Sequence, residues 1–102
     1  NFLSPAQEKA AVQSVVDQLA KDLPPAVIEA GRGKVSVNKV TRLLERTYSV
    51  LREFRDQRRL GFLGRAVVAN AFKWELKERG YPVDFVDMAT EGLIVALSKD
   101  IE

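Results

Sequence analysis

The sequence predicts an all-α domain: an antiparallel four-helix bundle or a close variant, with a short extra helical turn at residues 25–30. Three observations lead to this prediction. Apolar residues recur every three or four positions along four long segments, which is the period of an amphipathic helix. Proline or glycine interrupts the chain between these segments, for example at Pro24, Gly61 and Gly80. No segment alternates apolar and polar residues for long enough to predict a strand.

The first predicted helix runs from about Pro5 to Asp22. Ser4 is the expected N-cap, and Pro5 suits the first helical position because its missing amide has no partner there. The helix ends at Pro24 because proline disfavours a helical conformation in the residue before it. Its buried face is predicted to consist of Ala11, Val12, Val15, Val16, Leu19 and Leu23.

The second long helix is predicted from Val37 to about Leu60, with Ser36 as its N-cap. Gly61 ends or kinks it. One broad apolar stripe runs along this helix and contains Val37, Val40, Leu43, Leu44, Tyr48, Leu51 and Phe54.

The next helix, "FLGRAVVANAFKWELKERG", changes character halfway along. Apolar residues cover almost every direction around its first half, so we expect that half to be enclosed on all sides and the helix to be central in the bundle. Asn70 would then need buried hydrogen-bond partners. The second half is charged and ends at Gly80 and Pro82, where we expect it to reach solvent.

The last helix is predicted to be capped by Asp84. Its buried face contains Gly92, which costs about 1 kcal/mol relative to alanine within a helix. Gly92 forms a strip of small residues with Ala89 and Ala96, so a close helix crossing is expected there.

The composition excludes several kinds of chemistry. The 102 residues include no Cys and no His, and the formal net charge is +2. Zinc sites with thiolate or imidazole ligands, Ser-His-Asp triads and Cys-His pairs are therefore impossible within this chain. We expect a protein that is not an enzyme and that has neither a metal nor another cofactor.

No segment approaches the ~20 apolar residues that a membrane span requires. The length predicts a single helical domain over residues 1–102. We favour a soluble, intracellular protein, although the missing cysteines do not settle the compartment. The chain begins at Asn1, and the sequence leaves open whether it is a complete protein or a domain of a longer one.

The segment "EAGRGKVSVNKV" (29–40) has three possible interpretations. A Walker-type phosphate loop does not fit, because Lys34 is followed by Val35 and no strand precedes it. A helix-turn-helix fits better, although its turn and its second helix are long for that motif. A solvated connector is the third. The nucleic-acid-binding candidates under the second interpretation are Arg32, Lys34, Asn38, Lys39, Arg42 and Arg46.

A second basic set lies in "REFRDQRRLGFLGR" and consists of Arg52, Arg55, Arg58, Arg59 and Arg65. Glu53 and Asp56 intersperse with these cations, so they form either an ion-paired surface or a site for an anionic partner. Aromatic residues at the end of the charged helix are candidate interface anchors. The resulting protein-interface candidates are Tyr48, Arg52, Arg55, Arg59, Trp74, Tyr81 and Phe85.

The sequence therefore favours a non-catalytic protein-interaction or regulatory domain that binds another protein or a second copy of itself. The alternative is a nucleic-acid-binding helical domain that uses the basic segment at 32–46 and the arginines at 52–65.

Overall fold

The computed structural model describes residues 5–29 and 35–101, and within these ranges it contains helices and no strand. The prediction of an all-α helical bundle, with a short helix after the first long one, is confirmed. The helices are α1 (Ala6–Asp22), α2 (Pro25–Glu29), α3 (Val37–Arg58), α4 (Phe62–Glu78) and α5 (Val83–Leu97).

The long helices form a ring in the order α1, α3, α5, α4, because α1 and α5 each pack against both α3 and α4. Arg79, just after α4, pairs with Asp17 in the second half of α1, so these two helices run in the same direction. Hydrogen bonds from Tyr48 to Ala89 and from Arg55 to Leu97 show that α3 and α5 also run in the same direction as each other. The bundle is thus a variant in which the antiparallel pairs α1/α3 and α4/α5 pack side by side.

The core lies along the axis of this ring and is filled by aliphatic and aromatic side chains from every long helix. Phe72 and Leu76 of α4 are completely buried, as are Val16 of α1 and Leu93 of α5. Tyr48 of α3 meets Phe72 edge to face, with ring centroids 6.4 Å apart. With no disulfide possible, this apolar burial is the main source of fold stability.

Several predicted helix ends are confirmed. The Ser36 hydroxyl accepts a hydrogen bond of 3.1 Å from the amide of Lys39, which caps α3. Gly80 ends α4 with a φ of +91°, a conformation that glycine adopts without strain. The predicted cap Ser4 lies outside the described residues. The prediction for α5 was wrong: its N-cap is Pro82, and Asp84 lies inside the first turn, where its charge still suits the helix dipole.

The expectation that the first half of α4 is enclosed was wrong. The side chains of Phe62 and Leu63 are 76% and 78% exposed, and Ala66 and Asn70 are also exposed. Asn70 therefore needs no buried partner. The reason is the position of α4 at a corner of the ring, where α1 and α5 cover only its inward side.

No described helix is long and apolar enough to cross a membrane.

Candidate interaction surface on α4

The exposed side of α4 carries a row of side chains that we call the α4 ridge: Phe62, Leu63, Ala66, Asn70 and Trp74. Residues four apart lie on one face of a helix, which places 62, 66, 70 and 74 along one line. Trp74 is 53% exposed, so large apolar side chains stand at both ends of the ridge. Smaller residues, Ala66 and Asn70, lie between them.

The opposite side of α4 explains how this ridge arises. Val68, Phe72 and Leu76 repeat every four residues and are buried in the core. One apolar stripe is enough to anchor a helix at the corner of a bundle. The ridge is a second apolar stripe, and residues 5–29 and 35–101 leave it uncovered.

A groove of about 780 Å³ lies on one flank of the ridge, between α1 and α4. Its apolar lining includes Val12, Val67 and Ala71. Its charged lining is mixed and includes Lys9 of α1 and Glu75 and Glu78 of α4. Glu75 is also paired with Arg79 at 3.1 Å.

A second groove, of about 430 Å³, lies on the other flank, between α4 and α5. We call it the α4/α5 groove. Its apolar lining includes Phe62, Ala66, Ala69 and Ile94, and the charged residues of the described ranges that line it are Arg65 and Lys73. Among residues 5–29 and 35–101, no carboxylate lines this groove, in contrast to the one on the other flank.

Two details of the α4/α5 groove bear on ligand binding. Arg65 Nη1 donates a hydrogen bond of 3.3 Å to the carbonyl of Leu60, which holds its guanidinium near the first turn of α4. Thr90, which also lines the groove, is 8% exposed, and its hydroxyl has no hydrogen-bond partner among residues 5–29 and 35–101. A buried hydroxyl without a hydrogen-bond partner is uncommon, and it destabilises the protein when no ligand is bound.

Trp74 is held by a neighbouring cation. The Nζ of Lys77 lies 4.8 Å from the centroid of the Trp74 ring, a cation–π geometry. This contact restrains an exposed indole, which lowers the entropy that the side chain would lose on binding a partner.

Four of the predicted interface residues are buried inside the bundle: Tyr48, Arg55, Tyr81 and Phe85. Their side chains are therefore not accessible to a partner protein. Arg55 is the least expected of them, since arginine is seldom buried. It is 3% exposed, and its Nη1 donates to the carbonyls of Leu97 (2.9 Å) and Lys99 (2.6 Å). Its charge thus lies at the negative end of the α5 dipole and satisfies carbonyls that the helix leaves open.

The two buried tyrosines each donate a hydrogen bond to a backbone carbonyl. The Tyr48 hydroxyl donates to Ala89 O at 2.7 Å, and the Tyr81 hydroxyl donates to Leu23 O at 2.6 Å. Burial raises the pKa of both phenols to about 12, and the nearby Glu45 carboxylate contributes for Tyr48. The Tyr81 ring also stacks on Phe85 at 4.9 Å. These aromatic residues therefore join helices to one another.

The other predicted interface residues, Arg52, Arg59 and Trp74, keep some or most of their surface in solvent. The arginines at 52–65 do not form one patch. Arg55 is internal, Arg65 lies in the α4/α5 groove, and Arg58 stacks over the Phe54 ring at 5.9 Å.

The nucleic-acid candidates lie elsewhere. Arg32 and Lys34 fall outside the described residues. The other four, Asn38, Lys39, Arg42 and Arg46, are exposed on one face of α3. None of these three cations forms an ion pair with a residue of the described ranges.

Sequence reasoning missed Phe62, Leu63 and Ile94 as surface residues. The signal was present in α4, whose apolar residues point in every direction. A bundle helix normally has one covered stripe, so an all-round apolar helix predicts either complete enclosure or an uncovered surface.

The described residues contain no group of three or more Asp or Glu side chains that could hold a metal ion.

Comparisons with protein families, with curated proteins and with solved structures found no match to this chain.

Proposed function

We propose that this chain is a non-catalytic protein-interaction domain, and that the α4 ridge and its flanking grooves bind a helix of a partner protein. One observation carries the proposal: Phe62, Leu63 and Trp74, on one face of one helix, each expose more than half of their surface. Contiguous exposed apolar surface of this kind is typical of interaction sites.

The shape of the surface favours a helical partner. An amphipathic helix binds by placing its apolar side chains in a groove between two helices. Both grooves here run beside α4, and the aromatic side chains of Phe62 and Trp74 stand where anchors are needed. The small side chain of Ala66, between them, permits close approach of a second backbone.

The residue types available fit binding better than catalysis. The chain has no imidazole and no thiol, which are the usual groups for proton transfer and nucleophilic attack near neutral pH. The ridge itself offers apolar contact, one amide and nearby lysines, which supply affinity and orientation.

The proposal is tested by Leu63→Asp and Trp74→Ala, with Val37→Asp as the matched control. Val37 is 79% exposed at the start of α3, almost the same exposure as Leu63. Proteins captured from a cell extract by the wild-type domain and by Val37→Asp should be lost with both ridge variants. Circular dichroism should show equal helix content in all four proteins. Partners that remain bound to both ridge variants would show that α4 is not the interaction surface.

A second copy of the chain is the other occupant that the sequence favours. Sedimentation over a wide concentration range distinguishes the two cases. A dimer that Leu63→Asp dissociates would show that the ridge binds itself, whereas a monomer at all concentrations leaves a different protein as the partner.

Nucleic-acid binding is a second candidate because Lys39, Arg42 and Arg46 share an exposed face of α3 without ion-paired neighbours in the described ranges. Binding by several cations weakens steeply as salt increases. Titration with random duplex and single-stranded DNA at two salt concentrations tests it, with Arg42→Glu as the variant. No affinity better than about 100 μM at low salt would dismiss this function.

A further inference from the structure

We infer that the partner segment is an acidic amphipathic helix and that it binds in the α4/α5 groove. This inference rests on the proposed function and adds to it the chemistry of the partner and the side of α4 that it occupies. The relevant juxtaposition is an apolar lining that includes Phe62, Ala66 and Ile94, with the cations Arg65 and Lys73 in the same groove.

The charged residues on the two flanks of α4 differ. This difference indicates which flank binds the partner helix and what charge that helix carries. Within the part of the chain that the structure describes, the α4/α5 groove is lined by two cations and no carboxylate, whereas the groove beside α1 contains Glu75 and Glu78 as well as Lys9. The exposed carboxylates of α5, Asp87 and Glu91, do not line the groove. Among the described lining residues, only the α5 flank offers cations without carboxylates to a helix that has acidic residues beside its apolar stripe.

The floor of the groove suits a helix. Ala66 and Ala69 have short side chains, so the backbone of a partner can approach α4 there. Ile94, which is 49% exposed, and Phe62 stand on either side and would contact large apolar side chains of the partner. This is the arrangement in which an amphipathic helix inserts anchors three or four residues apart.

Thr90 supplies a polar group in the apolar part of the groove. Its hydroxyl is buried and has no partner in the described part of the chain. In the proposed complex, a carbonyl or carboxylate of the partner accepts a hydrogen bond from this hydroxyl. A polar contact at this point would fix the register of the bound helix.

The same charges disfavour a second copy of the chain. A symmetric dimer apposes one patch with itself. Here that brings Arg65 and Lys73 of one copy towards the same cations of the other, and no described carboxylate lines the α4/α5 groove of either copy. Like charges placed opposite each other in an interface oppose association.

The test uses two synthetic helical peptides with the same leucine stripe, one flanked by glutamates and the other by lysines. Binding to the whole domain is measured by fluorescence anisotropy. We expect the glutamate peptide to bind roughly tenfold more tightly or better, with an affinity that falls as salt increases. Lys73→Glu and Ile94→Asp should each weaken it by about tenfold. Lys21→Glu, which makes the same charge change at an exposed cation of α1 outside both grooves, should leave it unchanged.

The possible outcomes separate this inference from the proposed function. Peptide binding that Leu63→Asp abolishes but that Lys73→Glu and Ile94→Asp leave intact would overturn the inference and retain the ridge as an interaction surface. Failure of the glutamate peptide to bind also overturns the inference. The proposed function is overturned by a different result, namely captured partners that remain bound to both Leu63→Asp and Trp74→Ala.

Two further arms address the other occupants. Stronger binding to vesicles of anionic phospholipid than to the glutamate peptide would assign the groove to a membrane surface instead. A concentration-dependent dimer that Ile94→Asp dissociates would assign it to a second copy. Either result overturns the inference, and circular dichroism of each variant verifies that the fold is intact.

Discussion

The hydroxyl of Tyr48 donates a 2.7 Å hydrogen bond to the backbone carbonyl of Ala89 and lies directly over Gly92, one turn further along α5. A Cβ at position 92 would lie within 3.0 Å of Tyr48 Cζ and closer still to its hydroxyl oxygen. Gly92 is thus required by a side chain of the neighbouring helix. The sequence predicted a close approach there, and the structure shows that an aromatic side chain makes it.

Gly92→Ala should therefore lower the free energy of unfolding by about 1–3 kcal/mol, because α3 and α5 must separate to admit the methyl group. Urea denaturation followed by circular dichroism measures the change. Gly61→Ala is the matched control: no atom lies within 4 Å of a Cβ there, so its effect should stay within about 0.5 kcal/mol. Adding Tyr48→Phe to Gly92→Ala should recover part of the loss. Equal effects of the two alanine substitutions would contradict this account of the α3–α5 contact.

Arg55→Ala should destabilise the domain by about 3 kcal/mol, since it leaves the carbonyls of Leu97 and Lys99 without their donor. Arg55→Lys should recover only part of this, because an ammonium group lacks the planar fork of a guanidinium. Arg52→Ala, on the same helix and partly exposed, should change stability by less than about 0.5 kcal/mol. If Arg55→Ala behaved like Arg52→Ala, Arg55 would not be the cap of α5.

The buried tyrosines predict a loss of stability at alkaline pH. Their pKa is about 12 in the folded protein and about 10 in an unfolded chain. The folded state therefore holds its phenol protons more tightly, and this contribution is complete below about pH 10 and lost as the pH rises towards about 12. Free energies of unfolding at several pH values in this range should fall steeply for the wild type. Tyr48→Phe and Tyr81→Phe should each give a shallower fall, and slopes equal to the wild-type slope would refute the assignment.

The residues that follow α3 and α4 both have a positive φ, so introducing glycine after α3 and removing it after α4 should have opposite effects on stability. Arg59 adopts a left-handed conformation with a φ of 53°, which costs roughly 1 kcal/mol or more for a residue with a Cβ. Arg59→Gly should raise the midpoint of urea unfolding. Gly80, with a φ of +91°, should show the reverse: Gly80→Ala should lower that midpoint by a comparable amount. Changes of the same sign at both positions would rule out backbone conformation as the cause.

The proposed interaction surface could be predicted only in part. The sequence predicts Trp74 as a candidate anchor because an aromatic residue followed by a charged segment and Gly80 marks a helix leaving the core, and the structure leaves its side chain exposed. Phe62 and Leu63 were placed in the core, since a local pattern cannot tell an enclosed apolar helix from one with an uncovered stripe. Which sides of α4 are covered depends on how many helices surround it, and that number is fixed by the packing of the whole bundle.

The sequence by itself determined the helices and most of their ends. Periodic apolar residues, Ser36 and Gly80 act within one or two turns of where they stand, so their consequences follow from local geometry. Only the tertiary structure decided that Arg55 turns inward while Phe62 faces solvent. Arg55 finds its acceptors 42 and 44 residues away along the chain, and a contact across that separation exists only once the helices have packed.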